Sequence, residues 1–230
     1  MESKFSITLG ADPEFETIVN EVVVHAPTVV RGKYRAQIGI DGGGAALELR
    51  PTPGKRPRTL ANNLAILFKR FKHDHPNVTL SVKGSTLALG GHIHFGIKSI
   101  HPTTTLLYMM DVAAGRLASS KNGDARNRSG YGRLSDYNCN EHGFEYRTPS
   151  SAIFRKPTYM ILFVKILREI VKYYVQHTND MDNLYRHDSS QLLNKTEEIV
   201  NLILSKRDKV TLEEFKNYVP SNENIIQYWI

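Results

Sequence analysis

Apolar and polar residues alternate along Gly90-Gly91-His92-Ile93-His94-Phe95-Gly96, between two glycine ends. That is the period of a half-buried β-strand. Alternation puts His92 and His94 on one face and Ile93 and Phe95 on the other. Three other stretches repeat the design. In Gly10-Ala11-Asp12-Pro13-Glu14-Phe15-Glu16 three carboxylates share a face. In Leu47-Glu48-Leu49-Arg50-Pro51, Glu48 and Arg50 lie opposite two leucines, and in Gly143-Phe144-Glu145-Tyr146-Arg147, Glu145 and Arg147 lie opposite two aromatics. Each stretch has an apolar side for a core and a reactive side of Asp, Glu, His or Arg. The solvated face of an antiparallel sheet also alternates, but it ordinarily mixes Thr, Ser, Lys and Gln. These four faces carry metal-ligand and phosphate-binding types almost alone.

The same reading predicts strands over residues 4–9, 22–24 and 78–82, and a hairpin of 37–40 with 45–49. Its turn, Asp41-Gly42-Gly43-Gly44, lacks the Lys-Ser/Thr ending of a P-loop and the spacing of a dinucleotide fingerprint, so turn geometry accounts for the glycines. Leu60, Leu64, Leu67, Phe68 and Phe71 recur at helical spacing and predict a helix over 59–73, with Lys69, Arg70 and Lys72 on its solvated face. A second helix is expected over 103–120, then a polar loop over 121–133 that carries Arg126, Arg128 and Arg133 among glycines. The longest helix, 157–176, is apolar over nearly its whole circumference and should be mostly buried. The tail from 189 carries a helical pattern over 192–204 and a shorter one over 212–218, with Thr211 and Glu214 as a capping box. The run Lys206-Arg207-Asp208-Lys209 reads as a solvated turn, and the tail holds no catalytic motif.

At 230 residues the chain suits one domain, or one domain with a small appendage. Its formal net charge of +7 and pI near 9.4 favour anionic partners without choosing among them. The one cysteine, Cys139, excludes an internal disulfide and fits a reducing compartment. Residues 1–8 have no apolar signal core, and the most apolar stretch, 159–167, is short and broken by Lys165. A soluble, cytoplasmic protein is expected.

Several carboxylates with a histidine on a sheet face suit hard divalent ions, Mg²⁺ or Mn²⁺. Arginines hold phosphate and carboxylate in bidentate fashion and stabilise charge on a transferred phosphoryl group. Together they suggest a nucleoside triphosphate site without a Walker sequence.

Gly10-x-Asp12-x-Glu14, Glu48-x-Arg50-Pro51, Gly91-His92-x-His94, Asn127-Arg128-Ser129 with Arg133, and Glu145-x-Arg147-x-Pro149-Ser150 follow in that order. In order and character they resemble the carboxylate–amine ligases of the glutamine synthetase and glutamate–cysteine ligase superfamily, above all the small amidoligase-like proteins of phage genomes. The resemblance covers about residues 5–155. It implies an α+β fold: a curved antiparallel β-sheet with helices packed on its outer face, as in the glutamine synthetase catalytic fold, followed by a C-terminal helical appendage. The division expected is a catalytic domain over 1–178 and a helical extension over 179–230. The implied activity is ATP-dependent: a carboxylate is activated as an acyl phosphate at a divalent-metal site, and an amine attacks it. The implied cofactors are ATP and two or more Mg²⁺ or Mn²⁺ ions.

Carried over residue by residue, the resemblance assigns Asp12, Glu14, Glu48, His92 and Glu145 as metal ligands. Arg128 and Arg133 fall on the arginines that hold phosphates or the substrate carboxylate, with Arg50 beside them at the nucleotide. Arg147 or Arg50 would hold the carboxylate in line with the γ-phosphate. Glu16 and His94 are candidates for the base that deprotonates the amine. Asp12 stands where the family usually has Glu, one methylene shorter. The domain that completes the amine site in glutamine synthetase has no counterpart here. Expected partners are small-molecule or peptide carboxylates and amines, in the host cytoplasm if the chain is phage-encoded. Nucleic acid is a possible partner but not a required one, and oligomeric state is unreadable. The rivals are a single-zinc hydrolase, which leaves the arginines unexplained, and a basic nucleic-acid-binding protein descended from a ligase, in which the acids should have eroded.

Overall fold

The computed structural model describes residues 6–30, 37–41, 43–98 and 100–230. Lys4 and Phe5 of the expected first strand and Gly42 of the hairpin turn lie outside the described residues. The strands are β1 (Thr8–Val19), β2 (Val22–Val24), β3 (Ile38–Ile40), β4 (Leu47–Leu49), β5 (Thr79–Ser81), β6 (Gly91–Gly96), β7 (Tyr137–Asn140) and β8 (Gly143–Tyr146). They form one open sheet in the order β3-β4-β1-β6-β8-β7, with β2 and β5 also on β1, and every described pairing is antiparallel.

β1 is the spine because it is long enough to change partners. Residues 8–13 pair with β6, Glu14 and Phe15 with β4, and residues 16–19 with β5 and β2. The alternation then does the sorting. Leu9, Ala11, Phe15, Ile93, Phe95, Phe144 and Tyr146 join one buried apolar cluster with helix residues, and Phe95 stacks on its cross-strand partner Phe144 at 5.0 Å. Asp12, Glu14, His92, His94 and Glu145 alternate with them.

The helices covering the apolar side follow the predicted spacing. Helix α1 (Pro57–Asp74) starts on a proline, where the missing N–H costs nothing, and buries the five periodic residues together with Ala61. The second helix is one unit with a flaw: α2 (Thr104–Met110) passes through a π-turn at Asp111–Gly115 into α3 (Arg116–Ser119). The expected loop after it contains a short helix, α4 (Asp124–Ser129). Helix α5 (Pro157–Gln176) has the expected bounds and buries ten side chains, half its length.

The tail holds α6 (Thr178–His187), α7 (Ser189–Ile203) and α8 (Lys206–Asn217). Here the predicted cap is corrected. Ser205 and Asp208 form the capping box of α8, so the basic run lies in its first turn rather than in a solvated turn. Thr211 instead donates back to Arg207 O, and Glu214 pairs with Lys156. Beyond α8, Ile225, Ile226 and Trp229 are buried in the main cluster, and Trp229 stacks on Phe68 of α1 at 4.9 Å. Among the described residues no helix is long and apolar enough to cross a membrane. The architecture is mixed α+β, an open antiparallel sheet with helices.

Candidate active site

Register brings the reactive side chains together. Asp12 lies opposite His92, His94 opposite Glu145, and Glu14 opposite Glu48. Directly opposite residues on antiparallel strands have Cβ atoms about 4.5–5.5 Å apart, so four separate motifs converge on one patch. His94 Nε2 is 3.0 Å from Asp12 Oδ1. His92 Nδ1 is 3.0 Å from Glu145 Oε1 and 3.3 Å from Asp12 Oδ1. Arg147 Nε lies 3.2 Å from Glu145 Oε1, and Arg50 pairs with Glu48 and donates to Ile40 O at 3.1 Å. Glu14 accepts from the Gly90 N–H at 2.5 Å through Oε2.

The charges in this patch are set by burial and by each other. Burial would raise the Asp12 carboxyl, but the pull of His92 and His94 outweighs it and holds Asp12 below its usual range. Glu145 is likewise held down against burial by His92. Burial, with the Asp12 charge added, pushes Glu48 up to about 8, and burial raises Glu14. His92 is only 3 % exposed, which by itself would favour the neutral ring. Asp12 and Glu145 overcome that and lift it to about 10, and Asp12 raises His94 in the same way.

Three predicted residues are elsewhere. Glu16 is fully buried, and its carboxylate accepts from Thr86 N at 2.8 Å, Thr86 Oγ1 at 3.0 Å and Leu87 N at 3.1 Å. It ties down the turn at 85–87 instead of facing the patch. Alternation does not show this enclosure: the segment 85–90, which also gives Glu14 the Gly90 N–H, meets Glu16 through tertiary contacts. Arg128 and Arg133 are exposed on the loop, Arg133 donating Nε to Gly130 O at 3.1 Å.

Two other members of that loop point inward. Arg126 is 1 % exposed and donates to the carbonyls of Tyr131, Arg147 and Pro149 at 3.1, 2.7 and 2.6 Å. Tyr131 reaches the patch itself. Its hydroxyl lies 2.5 Å from His92 Nε2, donates to Glu14 Oε1 at 3.3 Å and accepts from Arg147 Nη2 at 3.1 Å. Sequence reading fixed on the charged residues and passed over this aromatic. The available signal was its position between two glycines in an arginine-rich loop.

One ligand atom each from Asp12, His94 and Glu145 lie within 4.8 Å of one another. Asp12 Oδ1 is buried without an aligned hydrogen bond among the described residues. A mixed set of two carboxylates and one imidazole around such an atom fits a hard or borderline divalent cation. From Asp12 and His94 a cleft of 310 Å³ runs over Gly10, Ala11 and Gly96, beside Arg50, between Pro51 and Pro53 and Phe144, to His142 at an exposed rim.

The α+β sheet thus carries carboxylate, imidazole and guanidinium groups beside a cleft. The match to a family model is specific: over residues 9–229 the chain belongs to the phage phiEco32-like COOH.NH2 ligase-type 2 family. No curated protein matches. Among solved structures, a bifunctional glutathione synthetase from Pasteurella multocida aligns at 9 % identity and a TM-score of 0.44, over 96 % of this chain and 48 % of that one. The chain thus spans about half the length of that protein.

Proposed function

We propose that the protein is an ATP-dependent carboxylate–amine ligase, forming an amide or peptide bond through an acyl phosphate in the cytoplasm. The observation that carries this reading is the register-driven convergence of Asp12, His94 and Glu145, with Glu14 and Glu48 on one side and Arg147 on the other. Bound Mg²⁺ or Mn²⁺ would neutralise the triphosphate of ATP and favour in-line phosphoryl transfer. Asp12, His94 and Glu145 would hold one ion, and Glu14 and Glu48 would contribute to a second. His92, both of whose nitrogens face protein partners, would orient Asp12 and Glu145 through its Nδ1 contacts. Arg147, bracketed by Glu145 and Tyr131, would grip the substrate carboxylate or γ-phosphate, and Arg50 stands at the cleft for the same task. Arg128 and Arg133, both solvent-exposed, would hold phosphate. The amine still needs a base; Glu16 is enclosed by the turn at 85–87, and His94 would serve only where its lone pair is not given to the ion.

The curved glutamine synthetase-like form of the sheet belongs to this proposal, resting on the order of the motifs. So does the division at residue 178: every proposed site residue precedes it, and residues 179–230 contribute packing. Calorimetry of ATP binding tests the reading. ATP should bind with Mn²⁺ and fail to bind in EDTA, and Asp12→Asn should abolish the Mn²⁺-dependent binding. Equal affinity in EDTA defeats the proposal. Zinc retained by protein purified without added metal would favour a hydrolase instead. Once binding is established, an ADP-release screen of carboxylates and amines identifies the substrates.

A further inference from the structure

Tyr131 has a built setting that surface tyrosines lack. Its ring lies between two guanidiniums, with Arg126 Cζ 4.9 Å and Arg147 Cζ 5.2 Å from the ring centre. Gly130 and Gly132 flank it, both in the left-handed region at φ 66° and 64°. At 132 a Cβ would overlap the Arg126 guanidinium, so the loop closes around that arginine only with glycine there. Among the described residues Arg126 itself finds carbonyl oxygens and Asn122 Oδ1 as acceptors and no carboxylate as a hydrogen-bond partner. A buried cation held this way fixes backbone. It locks Tyr131 to Arg147 and Pro149, at the end of the strand that carries Glu145.

We propose that Tyr131 is a positioning residue of the site, whose hydroxyl couples Glu14 to His92 and Arg147, and that Arg126 is the strut that aims it. Arg147 donates into the hydroxyl oxygen, His92 Nε2 is in contact with it, and the hydroxyl proton goes to Glu14 Oε1. With Gly90 N on its other oxygen, the Glu14 carboxylate is held at both ends. His92 is held at both nitrogens and so keeps its Nδ1 edge on Asp12 and Glu145. The inference rests on the proposed metal site for its functional meaning. It stands on this chain's own contacts for its structural content.

The test uses Tyr131→Phe, which keeps the ring between the guanidiniums and removes only the oxygen. Tyr137→Phe, at an exposed tyrosine of β7, is the control. In metal-free protein, Tyr131→Phe should shift the ¹⁵N resonances of the His92 ring by more than those of His94. Calorimetry should show Mn²⁺ affinity at least tenfold weaker than wild type, with a melting temperature within a few degrees. Arg126→Lys, which cannot reach all its acceptors, should give the same loss of affinity at a lower melting temperature. Unmoved His92 resonances overturn the coupling. Wild-type Mn²⁺ affinity in a Tyr131→Phe protein with shifted His92 overturns the positioning role. If wild type binds no Mn²⁺, the metal reading fails, and the resonance shift alone decides whether Tyr131 holds His92. If Arg126→Lys does not fold, Tyr131→Phe alone decides.

Discussion

Glu48 and His92 both hold protons in the folded protein at pH values where the unfolded chain has released them. Burial and the Asp12 charge lift Glu48 from an ordinary 4.5 to about 8. Against burial, Asp12 and Glu145 lift His92 from 6.5 to about 10. A group whose folded value is raised contributes stability that is complete below its unfolded value and lost as pH climbs through the folded one. Glu48 therefore costs stability from about pH 4.5 to 8 and His92 from about 6.5 to 10. Asp12 and Glu145, held low, lose theirs only in acid. In EDTA the melting temperature of wild type should fall between pH 6 and 9. Glu48→Gln should flatten the part below pH 8 and leave the His92 part. Mn²⁺, which would displace the Glu48 proton and whose charge disfavours a protonated His92 beside it, should bind more tightly as pH rises and reverse the slope. A wild-type melting temperature that is flat or rising in EDTA would defeat the charge assignments.

At the scale of elements, the loop over 121–133 shows what a sequence states and what it withholds. Strands and long helices are local: alternation located β6 and β8, and the 3.6-residue period located α1 and α5 to within two residues. The convergence of Asp12, His92, His94 and Glu145 was legible as well, because a shared face plus antiparallel pairing leaves few ways to arrange them. The loop obeys no period. Its arginines looked equivalent in sequence, yet Arg126 is buried among carbonyls while Arg128 and Arg133 face solvent, a division made by tertiary contacts with Arg147 and Pro149. Asp111 was equally unreadable: it faces the core from a π-turn and accepts from Tyr146 OH at 2.5 Å and Ser135 Oγ at 2.7 Å. Two variants probe the loop. Gly132→Ala meets both a left-handed φ, worth about 1–3 kcal/mol, and the Arg126 guanidinium. It should lower the melting temperature by several degrees and weaken Mn²⁺ binding. Arg128→Ala and Arg133→Ala should leave the melting temperature alone and cut turnover at least tenfold, about 1.4 kcal/mol at the transition state. Unchanged turnover in both would leave them as solvated surface residues.

At the scale of the whole molecule, the last residues of the chain reach the strand that carries the site. Trp229 donates its indole N–H to Phe154 O at 2.9 Å and stacks on Phe68 of α1. Phe68 in turn meets Phe15 edge-on, with ring centres 5.5 Å apart, and Phe15 is flanked in β1 by Glu14 and Glu16. A second tie runs parallel: Arg155 grips Glu223 through two nitrogens at 2.6 and 2.9 Å, with Tyr228 and Tyr218 over its guanidinium. The appendage expected from sequence is in this respect part of the core that backs the site. Trp229→Ala would empty a fully packed aromatic position and leave Phe154 O without its donor. Large-to-small changes at such positions cost about 3–5 kcal/mol. Arg155→Ala removes a part-exposed ion pair and two ring contacts and should cost less. The prediction is that Trp229→Ala lowers the melting temperature by at least twice as much as Arg155→Ala, and weakens Mn²⁺·ATP binding although it lies on the far side of the sheet from Asp12. Thermal denaturation followed by circular dichroism, together with the Mn²⁺·ATP-induced thermal shift, reads both effects. A Trp229→Ala protein that melts like wild type would mean the tail only rests on the surface. One that is destabilised yet binds Mn²⁺·ATP at full affinity would mean that β1 holds its register without the aromatic stack behind it.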